Sequence, residues 1–132
     1  MISTHIKTTL VDFDGTLIDS NGCWIEAYLL LCERKKQQPS VSTIDSFDKC
    51  TFAEWQGLIN SQLGECANEL LECAKLAYVK HAPKELVLST VRSLPIGSKI
   101  TIITREPSEL VRHWLLHYNI NIFDEIITVG DE

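Results

Sequence analysis

The chain has no excess of positive charge. Its 12 Lys and Arg against 18 Asp and Glu leave a formal net charge of −6. That argues against non-specific nucleic-acid binding, which needs a basic face. It also provides no long-range pull on phosphates, so a phosphate site must rest on local groups and a bound cation. The 5 cysteines, Cys23, Cys32, Cys50, Cys66 and Cys73, are odd in number and contain no Cys-x-x-Cys pair. This speaks against a disulfide framework or a zinc site and for a reducing, cytoplasmic setting. No apolar run approaches the ~20 residues of a membrane span. The amino terminus has no charged-then-apolar signal segment and runs directly into an expected strand. Repeats and low-complexity tracts are absent. The rest is ordinary: 132 residues, 45% hydrophobic and 23% charged, enough for one core or for a small core with an insertion.

The informative stretch is Leu10–Ser20, Leu-Val-Asp-Phe-Asp-Gly-Thr-Leu-Ile-Asp-Ser. A short apolar run ends in two carboxylates two positions apart. Side chains at i and i+2 share a face of a strand. With Thr8–Phe13 as a strand, Asp12 and Asp14 leave its carboxyl end in similar directions, where open α/β sheets bind ligands. Two carboxylates this close repel, and a divalent cation or a proton relieves the repulsion. Gly15 permits a sharp turn, and Thr16 brings a hydroxyl. Asp-Gly is also a hairpin signal. However, Leu17-Ile18 is too short for a returning strand, and Asp19-Ser20-Asn21-Gly22 continues as loop.

Beyond this point the pattern turns helical. Asn21–Lys36 is apolar on more than one face, and Arg34-Lys35-Lys36 closes it with cations that suit a helix carboxyl end. Gln37–Ser40 reads as loop. Thr51–Leu63 carries one stripe of Phe52, Trp55, Leu58, Ile59 and Leu63, with Gly64 as its cap. Glu65–His81 is another helix, with Leu70, Leu71, Ala74, Ala77 and Tyr78 inward. No strand is expected between Ser20 and about His81. Pro83 opens a helix over Lys84–Leu94, its inner face Leu86, Val87, Thr90, Val91 and Leu94. Lys99–Thr104 is a short β-branched run, the pattern of a buried parallel strand. The helix Ser108–Tyr118 and the strand Phe123–Val129 follow. The alternation implies three parallel strands in order 1-2-3 with right-handed crossovers.

Asp12-Phe13-Asp14-Gly15-Thr16 resembles the first motif of the haloacid dehalogenase (HAD) superfamily, and Leu17-Ile18-Asp19-Ser20 is similar to its continuation in the phosphoglycolate phosphatase-like branch. The resemblance implies an α/β fold: a three-layer parallel-sheet, Rossmannoid core of residues 1–19 and 82–132, with residues 20–81 as an inserted α-helical cap. It implies Mg²⁺-dependent hydrolysis of a small phosphorylated metabolite. Asp12 would be the nucleophile and Asp14 the general acid and base, with both at the metal. Gly15, Thr16 and Thr104 would be phosphate-binding, Thr104 as the strand-end hydroxyl. Arg105, where the family varies, would add a cation.

Family order also implies a later lysine and a last acidic metal motif. No Lys follows Lys99, and the chain reaches Glu132 before either motif is expected, so the core reads as truncated. Asp131 resembles the acidic motif but sits on the outer third strand. The other reading is therefore an incomplete or inactive fragment that serves as an interaction module or needs a second polypeptide. An open edge on the first strand is a site for self-association or for a partner chain. A receiver-domain reading, with Asp12 as phosphoacceptor, fits the Asp-Gly-Thr run and the helical insertion poorly. His113 and His117 have metal-pair spacing but no evident third ligand. Trp24 and Trp55 suit core packing better than a substrate pocket.

Overall fold

The computed structural model describes residues 7–129. In chain order the elements are β1 (Thr8–Asp12), α1 (Cys23–Arg34), α2 (Val41–Ser46), α3 (Phe52–Leu63), α4 (Ala67–Tyr78), α5 (Glu85–Arg92), β2 (Lys99–Thr104), α6 (Ser108–His117) and β3 (Glu125–Thr128). They form two compact units. One comprises the described residues up to Asn21 with His81–Val129, and the other Gly22–Lys80.

The first unit is an α/β sheet of order β1-β2-β3. Both pairings are parallel: Val11 lies opposite Ile102, and Ile102 opposite Ile126. The β-branched run of β2 suits a strand covered on both sides, and Ile102 at its middle is wholly buried. Val11 shares that face. The Phe13 ring meets Trp114 of α6 edge-on, centroids 5.3 Å apart, and Trp114 Nε1–H donates to the His81 carbonyl at 2.9 Å. Leu110, Val111 and Trp114 are the buried stripe of α6.

Helix α5 departs from the expected face. Leu88 and Val91 are buried, whereas Leu86 is 81% exposed and Thr90 is exposed. Apolar residues at 86, 87, 88 and 91 cover an arc wider than the contact, so periodicity alone cannot choose the buried sector.

The second unit is all-helical. α1 packs against α4, with Ala27, Leu31 and Cys32 buried on one and Leu70, Cys73, Ala74 and Ala77 on the other. α1 ends at Arg34, and Lys35 just beyond pairs with Glu69 at 3.3 Å. α3 begins with a capping box: Thr51 Oγ1 accepts from Glu54 N–H at 3.1 Å, and Glu54 Oε1 accepts from Thr51 N–H at 2.9 Å. Trp55 is fully buried among Tyr28, Phe47 and Phe52. Trp24 packs edge-on to Phe52 and Tyr78. Both tryptophans are core residues.

Helix α2 has no counterpart in the sequence reading. It is 6 residues long and has no apolar stripe. Ser40 caps it, accepting from Thr43 N–H at 3.3 Å, and Trp55 Nε1–H ties the Thr43 carbonyl at 2.8 Å. Tertiary hydrogen bonds, rather than propensity, hold so short a helix.

Candidate active site

β1 delivers Asp12 as its last residue, and the chain then folds into a tight turn. The Phe13 carbonyl accepts N–H groups from Leu17 at 3.0 Å and Ile18 at 3.2 Å, while Gly15 N–H donates to the Ile18 carbonyl at 2.8 Å. Gly15 adopts φ +79°, a conformation that side chains resist. This explains glycine at the centre of the motif.

The turn also fixes the carboxylates. Asp12 Oδ1 accepts from Phe13 N–H at 2.9 Å, and Asp14 Oδ1 accepts from the Ser20 hydroxyl at 2.5 Å. Asp12 is exposed, and Asp14 and Thr16 are half-buried. Sequence reasoning gave Ser20 only an unspecific place in the loop after the motif; its contact with Asp14 needs the turn to exist first.

Thr104 ends the neighbouring strand. Asp12 lies opposite Ile103 in the register, so Asp12 and Thr104 leave the same end of the sheet on adjacent parallel strands. Thr104 is 3% exposed. Its Oγ1 accepts from Glu106 N–H at 2.9 Å, and Thr128 Oγ1–H donates to the Glu106 carbonyl at 3.2 Å. These bonds shape the loop after β2, where Arg105 is exposed. The structure thus brings Asp12, Asp14, Gly15, Thr16, Thr104 and Arg105 to one rim. Asp131 lies outside the described residues. His113 and His117 are exposed on α6.

A second residue that the sequence did not single out meets the turn from outside. Lys84 Nζ donates to the Gly15 carbonyl at 3.0 Å, and Lys84 N–H donates to the Leu17 carbonyl at 2.9 Å. An apolar cleft of about 390 Å³ runs beside β1, lined by Leu10, Val11, Leu86 and Val91 and reaching Asp12 and Thr16. Its walls offer few donors, so it suits apolar contact rather than a phosphate.

Among the described residues no group of three or more His, Cys, Asp or Glu is placed to hold a metal ion. Two carboxylates on one rim still fit Mg²⁺, which commonly takes one or two carboxylates and completes its shell with waters and substrate phosphate oxygens. No helix among the described residues is long and apolar enough to cross a membrane.

The three-stranded parallel sheet with its helices, and paired aspartates at the carboxyl end of its first strand, make an α/β core of the Rossmannoid type. The chain belongs to the haloacid dehalogenase-like hydrolase family, whose model matches residues 9–132. A search of curated proteins finds no match. Among solved structures, the chain is similar to the haloacid dehalogenase-like hydrolase SP0104 of Streptococcus pneumoniae, with TM-score 0.65 and 18% identity over 96% of this chain and 62% of that one. It is similar to the HAD hydrolase YfnB of Bacillus subtilis, solved bound to magnesium, with TM-score 0.62 and 16% identity over 95% and 66%. It also matches a HAD family hydrolase of Deinococcus radiodurans with bound phosphate and sodium, with TM-score 0.55 and 16% identity over 93% and 58%. At these identities the likeness is one of fold. The chain spans about three fifths of the length of the solved structures it matches.

Proposed function

We propose that the chain is a Mg²⁺-dependent phosphohydrolase acting on a small phosphomonoester through an aspartyl-phosphate intermediate. The observation that supports this best is the shared rim: Asp12 and Thr104 leave adjacent parallel strands at the same end, with Asp14 in the turn that follows β1. A carboxylate oxygen of Asp12 attacks phosphorus as the bond to the leaving oxygen breaks. Asp14, protonated, gives its proton to that departing alkoxide. The resulting Asp14 carboxylate takes a proton from water. The hydroxide attacks phosphorus, releases inorganic phosphate and regenerates Asp12. Ser20 holds the Asp14 carboxyl group in a fixed direction through its hydroxyl.

The Thr104 Oγ1 lone pair is engaged by Glu106 N–H, which leaves the hydroxyl hydrogen for a phosphoryl oxygen. The Gly15 N–H is taken by the Ile18 carbonyl, so Gly15 serves the shape of the turn, while Thr16 brings its hydroxyl and Arg105 adds a positive charge at the mouth. Asp12 and Asp14 are the residues that would hold Mg²⁺. When bound, that ion offsets their mutual repulsion and the charge of the phosphoryl oxygens. The five cysteines form no disulfide, which suits the cytoplasm.

Hydrolysis of p-nitrophenyl phosphate, with and without Mg²⁺, tests the reading against Asp12→Asn. Metal-dependent turnover in the wild type and at least ~10³-fold less in the variant is the expected result. Equal rates in both chains refute hydrolysis by this chain.

A further inference from the structure

We propose that Lys84 is a positioning residue of this site, strapping the turn that carries Asp12, Asp14 and Thr16. The inference rests on the hydrolase reading above for its chemistry. Its geometry stands independently. Within the turn, the N–H groups of Gly15, Leu17 and Ile18 are satisfied internally. The carbonyls of Gly15 and Leu17 instead turn to Lys84: the first accepts from its ammonium at 3.0 Å, the second from its backbone N–H at 2.9 Å. Pro83 alongside makes an antiparallel bridge with Ile18. One residue on the segment leading into α5 therefore holds two carbonyls of the turn at once.

The two bonds differ in what they require. Any residue except proline supplies the backbone N–H, so the fold alone is served without a lysine. The side chain is a separate commitment, because Lys84 is exposed and fixing an exposed lysine costs rotamer freedom. It brings a cation to a turn bearing two carboxylates, where a phosphoryl group adds further negative charge. It also sets the peptide plane joining Gly15 to Thr16, the unit that links Asp14 to the Thr16 hydroxyl. Lys84 thus brings a fixed ammonium to the turn from the amino-terminal side of β2.

The test uses the full chain with Lys84→Met and Lys84→Arg. Amide exchange followed by NMR reads the turn directly. Gly15 and Ile18 N–H exchange about fivefold faster in Lys84→Met, the size of one lost hydrogen bond, and at the wild-type rate in Lys84→Arg. On p-nitrophenyl phosphate with Mg²⁺, Lys84→Met lowers kcat about tenfold with KM within about twofold, and Lys84→Arg restores it. Unchanged exchange in Lys84→Met overturns the proposal. So does faster exchange with an unaltered kcat, which reduces the strap to a structural bond. If the wild-type chain shows no turnover, the hydrolase reading fails and the effect of Lys84 on kcat falls with it. The exchange measurement still decides whether the ammonium holds the turn.

Discussion

Single side chains in this molecule make commitments that can be checked one at a time. Thr101 sits in the middle of β2 at 1% exposure, and its hydroxyl is the one buried side-chain polar atom among the described residues with no hydrogen-bond partner. A buried, unpaired hydroxyl is desolvated without compensation. Valine has nearly the same shape and prefers strands. Thr101→Val is therefore expected to stabilise the chain by about 1 kcal/mol, read as a higher urea midpoint at unchanged slope. An equal or lower midpoint would show that the hydroxyl has a partner in solution. The cysteines give a second check. Burial pushes the Cys66 and Cys73 thiols above their ordinary range, which lowers the thiolate fraction. Cys50 alone among the five is not fully buried. A thiol reagent at pH 8 should modify Cys50 first, with the other four following at the rate of unfolding. Peptide mass spectrometry distinguishes that order from uniform labelling.

At the scale of elements, the amino terminus of α3 is the most explicit local signal, a Thr at the cap and a Glu three residues on. Thr51→Ala should cost about 1 kcal/mol, measured by chemical denaturation. The Thr51 backbone N–H, then its side chain, hold the Glu54 carboxyl below its ordinary value of 4.5. A depressed carboxyl stabilises the fold above its unfolded pKa, and that contribution is lost as pH falls through the lower folded value. The stability gap between wild type and Glu54→Ala should be full at pH 7 and narrow once the pH drops well below 4.5. A constant gap would mean that the bond is not ionic.

The same scale shows what a sequence can carry. β2 was legible because five consecutive positions, Ile-Thr-Ile-Ile-Thr after Lys99, are β-branched and favour a strand. α6 was legible because its stripe of Leu110, Val111, Trp114 and Leu115 is narrow and clear. α2 was not, since it depends on a hydroxyl cap and on Trp55, 12 positions further along. The buried face of α5 was misjudged because several apolar residues compete for it. Of the candidate site, Asp12, Asp14, Gly15 and Thr16 follow from a contiguous motif. Thr104 needed the order of strands. Lys84 could not be read at all: its link to Gly15 spans 69 positions and exists only once the turn and the start of α5 are folded.

For the molecule as a whole, the described sheet has a consequence for association. Its order is β1-β2-β3, so among the described residues β1 pairs on one side only. The flank of β1 is apolar: Leu10 is 58% exposed and Leu86 is 81% exposed, and the cleft between them is walled by Val87 and Val91. An unpaired edge with an apolar margin favours strand addition by another chain. Opposing it is a net charge of −6, but repulsion between copies is largely screened beyond ~8 Å at physiological salt. Contact at the edge should therefore prevail, with a second copy as the partner in purified protein. Sedimentation velocity across a range of concentrations is expected to show association that Leu10→Lys reverses, since a lysine on an exposed edge blocks pairing in the way natural sheets do. The variant should leave the unfolding midpoint nearly unchanged, because Leu10 contributes little buried surface. A wild-type chain that sediments as a monomer at every concentration would show that this edge is covered in solution, and the association argument would then fail without touching the assignment of Asp12 and Asp14.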